Sequence, residues 1–187
     1  MNFARTLAYG KAGESAIACW LRQQGFSVLP VYEKLIDEGK GPQLYMPDKN
    51  LIAPDLFVFG KGKAFWIEAK RKTAFSWHRI TSRWVTGIDL RHYADYCEID
   101  DSTPWPVWLL FLHEGGQAKD SPPDSPQGLF GETLMKLRKC ENHRSDRWGR
   151  TGMVYWASGS LQLLATLDEV VETQFKDARV EHGEKPG

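Results

Sequence analysis

Apolar positions near the start of the chain recur at a helical period. Ile17, Ala18 and Leu21 share one stripe of a segment running from about Gly10 to Gln24, and the spacing predicts a helix closed by Gly25 at the left-handed cap position. The period then drops to two, and Phe26 to Tyr32 alternates like a strand. Glu33 to Asn50 is rich in Gly, Pro and charge and reads as a loop. Leu51 to Lys72 carries two apolar runs around Gly60-Lys61-Gly62-Lys63, the pattern of a hairpin. Thr73 to Gly87 is basic and aromatic without a clear period. Asp89 can cap a helix whose Leu90, Tyr93, Ala94 and Cys97 fall on one face. Pro106 to His113 is a short unbroken apolar run, as in a central buried strand. Gly115 to Gly128 reads as a loop, and Met153 to Leu167 as a second hairpin turning at Gly159-Ser160. Residues beyond about Lys176 have the composition of a disordered tail. The expectation is a single α/β domain over residues 1–175, with 176–187 as the tail.

Composition adds limits. The 187 residues are 42% hydrophobic and include eight tryptophans, enough for one well-packed core. No apolar run approaches the roughly 18 residues that a membrane helix needs. Cys19, Cys97 and Cys140 are odd in number and lie far apart, which argues against a disulfide framework or a cysteine zinc site. With no secretory pattern at the first residues, the expectation is a cytoplasmic protein without membrane contact or organic cofactor. The formal net charge is zero, yet charge is unevenly placed. Between Lys61 and Arg91 stand eight Lys/Arg against two acids, and a second basic run continues from Lys136 through Arg150. Acids gather in Tyr32–Glu38, in Glu98–Asp101 and after Asp168. Such segregation suits a polyanionic partner, although solvated faces of a neutral protein would look similar.

The hairpin carries the chemistry. A two-residue turn at Lys61-Gly62 and a four-residue turn at Gly60–Lys63 give the same register, in which Asp55 faces Glu68. Directly opposed residues have Cβ atoms about 4.5–5.5 Å apart. Lys70, two positions beyond Glu68, projects from the same face. A three-residue turn would break this arrangement. Two facing carboxylates within an apolar sheet are costly unless a cation relieves them. Oxygen ligands at short range suit Mg²⁺, with Mn²⁺ able to substitute. A nearby lysine can then hold an attacking water or neutralise charge developing on a phosphate. The plainer alternative is a turn acid after Pro54 and an exposed strand with a cross-strand ion pair. It leaves unexplained why an acid and a base interrupt a run as apolar as Ala64-Phe-Trp-Ile.

Pro54-Asp55, twelve intervening residues and Glu68-Ala69-Lys70 resemble the PD-(D/E)XK nuclease motif. The order of helix, motif-bearing hairpin, helix and buried strand is similar to that superfamily's αβββαβ core, over roughly Ala12 to His113. The stretch Trp84 to Tyr96, followed by Pro106 to His113, further resembles the Holliday-junction-resolvase-like and phage-type branch. The resemblance implies a restriction-endonuclease-like α/β fold: a central mixed sheet flanked by helices, here with a C-terminal β-hairpin/helix extension. It also implies a Mg²⁺-dependent endonuclease acting on DNA, with branched or structured DNA as a candidate substrate and a homodimer as the analogous assembly. In that branch an acid on the first helix joins the metal site. Glu14 is the matching position, beside Asp55 and Glu68 as ligands, with Lys70 completing the catalytic set. From the residues alone, Glu14 precedes Ile17 and Ala18 by three and four positions and so lies along the buried stripe, or else serves as a first-turn acid on the helix dipole.

Arg71, Lys72, Arg79 and Arg83, interleaved with Trp77 and Trp84, are candidates for gripping phosphates, as is Arg91. His78 is a candidate to approach the centre, Tyr93 fits a packing role, and His143 stands alone in its segment. The rival expectation is an inactive DNA-binding or assembly module on the same fold. A third is a protein-interaction domain using its tryptophans.

Overall fold

The computed structural model describes residues 3–31, 42–118, 121–149 and 151–173. The acidic cluster expected in Tyr32–Glu38 and the tail beyond 176 lie outside the described residues. Helix α1 (Phe3–Gln23) starts earlier than the apolar stripe suggests and ends before Gly25, whose φ of 82° provides the expected left-handed cap. Then follow β1 (Ser27–Pro30), a small hairpin of β2 (Gln43–Tyr45) and β3 (Asn50–Ile52), and the long hairpin of β4 (Leu56–Gly60) and β5 (Lys63–Lys72). Next come β6 (Ser76–His78), β7 (Arg83–Asp89), helix α2 (Leu90–Ser102) and β8 (Val107–His113). The chain continues through β9 (Gly128–Thr133), a single-turn helix α3 (Leu134–Leu137), β10 (His143–Ser145), β11 (Met153–Ala157) and β12 (Gln162–Ala165).

A mixed six-stranded sheet runs β1-β4-β5-β8-β9-β12, in which β5 and β8 are parallel and the other neighbours antiparallel. The order α1, β1, β4, β5, α2, β8 follows the expected helix, three strands, helix and strand. A four-stranded antiparallel sheet, β10-β11-β7-β6, stands beside it. Each face of the large sheet has its own apolar layer. Ala16, Ile17 and Leu21 of α1 pack with Leu56, Val58, Ile67 and Ala69. Tyr93, Tyr96 and Ile99 of α2 pack with Trp66, Leu109 and Phe111, and with Val154 and Trp156 of the small sheet. The central strands are thus covered on both sides, which is why Val107 to His113 reads as uninterrupted hydrophobicity.

Four expectations need correction. The segment from Glu33 to Asn50, expected as a loop, holds β2, which pairs with β3. Thr73 to Gly87 holds β6 and most of β7, a hairpin whose ladder covers only three residue pairs and is too mixed in character to show a period. The buried face of α2 is Tyr93, Tyr96 and Ile99, and Ala94 is exposed. Residues 153–167 do not form a hairpin: β11 pairs with β7 and β12 pairs with β9, in different sheets. A 3₁₀ turn at Ser158–Ser160 takes the chain from the interior of the small sheet, where β11 lies between β10 and β7, to the edge of the large one, so each strand satisfies its backbone against partners earlier in the chain. The C-terminal part is thus woven into both sheets, with residues 167–173 again helical.

Candidate active site

The β4–β5 turn is a two-residue one. Lys61 and Gly62 both have positive φ (53° and 70°), as a type I′ turn requires, and Gly60 pairs with Lys63. The resulting register sets Leu56 against Ile67, so Asp55, one residue before the strand, reaches the level of Glu68. Its Oδ2 accepts a hydrogen bond from the Ala69 N–H at 2.9 Å. Alternation along β5 sends Glu68 and Lys70 to the α2 face. There Lys70 Nζ forms an ion pair with Glu68 and lies 3.7 Å from Asp55 Oδ2. Glu68 is 1% exposed. Its Oε2 accepts a 2.6 Å hydrogen bond from the Tyr96 hydroxyl of α2, while Oε1 has Lys70 as its ion-pair partner.

Ile67, Ala69 and Arg71 take the opposite face, against α1. A Cβ on Gly13 would stand 2.4 Å from the Arg71 Cβ, so only a glycine lets the helix lie this close. The approach brings the next residue, half-buried Glu14, within the electrostatic reach of Asp55 and Lys70.

Burial, reinforced by the Glu68 charge, pushes the Asp55 carboxyl up to about 7. Burial and then Asp55 raise Glu14 as well. For Lys70, desolvation opposes the charged form, but Glu68 and Asp55 outweigh it and hold the ammonium charged beyond its usual range. The same constellation reaches α2. Burial and the Lys70 charge lower His92, whereas burial and Glu68 raise Tyr96 far above the ordinary phenol. The centre is therefore a set of hard oxygen donors, from fully buried Glu68 to half-buried Glu14, with one partly exposed amine holding their charge.

Among the described residues, no three His, Cys, Asp or Glu side chains converge as a ready-made metal cage. The donor set nevertheless fits one kind of ion. Magnesium keeps several waters and takes one or two carboxylates plus substrate phosphate oxygens, and Asp55 and Glu68 supply that pair, with Lys70 now placed as a cation would be.

No protein-family model matches the chain, and no curated protein sequence matches it. Its structure is similar to that of a Holliday-junction resolvase and to that of a viral nuclease. The first is Hjc of Archaeoglobus fulgidus, an archaeal hyperthermophile, with a TM-score of 0.47 and 8% identity over 81% of this chain and 90% of that one. The second is D212, a nuclease from a fusselovirus, with a TM-score of 0.40 and 11% identity over 94% and 96%.

The structure thus brings Asp55, Glu68 and Lys70 together, with Glu14 at the edge. The basic candidates scatter. Arg71 is turned to the α1 face and donates to Glu114 at 2.7 Å. Lys72 shares the face of Glu68 and Lys70, and burial and then the Lys70 charge lower its ammonium. Arg79 and Arg83 are exposed near the tip of β6–β7, and Arg91 is exposed on the first turn of α2. His78 does not approach the centre: its ring stacks on His143 at 3.8 Å. His143 is accordingly not solitary, since Tyr155 stacks on it at 4.5 Å. Tyr93 packs in the core beside Trp156 and donates to Glu141. The residue that the sequence reading missed is Tyr96. Its spacing from His92, four positions on one helix, was the available signal.

Proposed function

We propose that the chain is a divalent-metal-dependent endonuclease that hydrolyses DNA phosphodiester bonds, with Asp55 and Glu68 as the metal ligands. The observation that supports this reading is the burial of these two facing carboxylates against a single amine. Few structural roles call for so costly an arrangement, whereas metal-assisted phosphoryl chemistry uses each part. A bound Mg²⁺, or Mn²⁺ in its place, would supply Lewis acidity toward a phosphate oxygen. Tyr96 orients Glu68, and the Ala69 N–H orients Asp55. Glu14 carries a further negative charge toward the same point and would be the third acid to help hold the ion. Lys70, kept protonated by its acidic neighbours, would stabilise the charge that builds on the phosphate and position the incoming water. Exposed Arg79, Arg83 and Arg91 would meet the backbone of the substrate, and branched DNA and a twofold dimer belong to the same proposal.

The test is cleavage of linear, single-stranded, flap and four-way-junction DNA with Mg²⁺ or EDTA. Cleavage is expected only with the metal, and Lys70→Ala should lower it by at least about 10²-fold, the scale on which a single charge-stabilising group acts. Undiminished cleavage by both Lys70→Ala and Asp55→Ala would refute the site. The ion pairs of Lys70 also favour a second reading, an inactive DNA-binding module whose acids are already neutralised. Salt-sensitive DNA binding without any metal uptake in a calorimetric titration would select it.

A further inference from the structure

The β6–β7 hairpin leaves the strand that carries Lys70 and returns into the helix that carries His92 and Tyr96. At its tip Ile80 is 90% exposed, more than any other large apolar side chain among the described residues. A single exposed isoleucine ordinarily requires no explanation, but the setting of this one does. Arg79 and Arg83 on either side are exposed as well. The tip is also braced. His78 Nδ1 lies 2.8 Å from Thr81 Oγ1, the His78 ring stacks on His143, and Thr81 meets the Asn142 side-chain amide at 3.4 Å. Below it, Trp77 and Trp84 pack edge to face with centroids 5.2 Å apart. An apolar side chain is thus held out in solvent by an ordered, cation-flanked support, which removes part of the ordering cost of using it.

We propose that this tip is a wedge that inserts Ile80 between base pairs of a nucleic-acid duplex gripped by Arg79 and Arg83. Apolar wedges that part base steps are a general means of reading duplex deformability, and unstacking is cheapest where the duplex is already interrupted. The seven residues of β7 span about 20 Å between the tip and Asp89, whose charge acts on His92 together with those of Lys70 and Asp55. That length corresponds to about six base pairs, so the wedge would act roughly half a helical turn from the phosphate being attacked. A lipid surface is the weaker partner, because one isoleucine buries too little apolar area to hold a protein on a bilayer. The inference rests on the nuclease reading for its substrate but not for its test.

The test uses the full chain in EDTA, with fluorescently labelled duplex and four-way-junction DNA and a parallel set carrying 2-aminopurine at successive positions. Ile80→Ala should weaken binding about tenfold, the worth of one buried aliphatic side chain. It should leave the salt dependence unchanged and abolish the rise in 2-aminopurine fluorescence at one step, while Ile80→Leu restores both. Arg79→Ala with Arg83→Ala should reduce the slope of log K against log salt by about two. Affinity and fluorescence unaltered by Ile80→Ala would overturn the wedge. So would failure of the unaltered chain to bind DNA, or Ile80-dependent binding to anionic vesicles with none to DNA. Ile80-dependent DNA binding by a chain that never cuts with Mg²⁺ would defeat the nuclease reading and leave the wedge standing. Normal cutting and binding by Ile80→Ala would do the reverse.

Discussion

Single side chains decide whether the centre is charged. Asp55 titrates at about 7, raised by burial and by Glu68. An acid whose pKa is higher in the folded than in the unfolded chain binds its proton more tightly when folded. Stability without metal therefore falls as pH climbs from the ordinary carboxylate value toward 7. Asp55→Asn keeps the hydrogen bond from Ala69 and removes the charge, so at pH 8 in EDTA it should stabilise the fold by on the order of 2 kcal/mol. Denaturant unfolding of the two proteins checks this, and cleavage by the variant should be lost. In the unaltered protein, metal-supported cleavage should rise with pH through about 7, as Asp55 gives up its proton. Tyr96→Phe leaves Glu68 Oε2 without its donor and should cost about 1–3 kcal/mol. A shift in urea midpoint together with weaker Mg²⁺ uptake would register it. Asp55, Glu68 and Lys70 could be read from the sequence because they sit on one hairpin with a short turn. Tyr96 could not, because its place depends on which face α2 presents. The pattern of Leu90, Tyr93, Ala94 and Cys97 points slightly away from the face that is buried.

At the level of elements, the site depends on a turn far along the hairpin. Because side chains alternate with period two, a one-residue slip would send Glu68 and Lys70 toward α1 and Ile67 and Ala69 toward α2. Inserting one glycine between Lys61 and Gly62 should therefore remove cleavage, or destabilise the chain by several kcal/mol if the register is kept at the cost of a bulge. Circular dichroism separates the two outcomes. Helix α1 and strand β8 were legible for the usual reasons, an apolar stripe with a glycine cap and an unbroken run between proline and glycine. The β6–β7 hairpin was not, since its single ladder of three residue pairs mixes Trp, His and Arg on faces that only the neighbouring β11 defines. The pairing of the C-terminal strands is not legible because a glycine–serine turn says nothing about which sheet each flanking strand joins.

Over the whole molecule, the proposed metal site would couple folding to ion binding. A ligand that binds only the folded state stabilises it by RT ln(1 + [L]/Kd), so Mg²⁺ should raise the melting temperature. The rise should be larger at pH 8 than at pH 6, because at the lower pH Asp55 holds the proton that the ion must displace. Thermal scans at both pH values measure it, and equal shifts would place the ion elsewhere. The two rims of the six-stranded sheet bear on assembly. On one side, β1 ends in Pro30, which has no N–H to offer. On the other, the four-residue β12 loses its register between Leu163 and Ala165. Neither border offers a long, regular ladder onto which another chain could zip. A second copy of this protein meeting the large sheet would therefore dock through side chains on its covering helices or its faces, leaving the backbone ladder of that sheet closed.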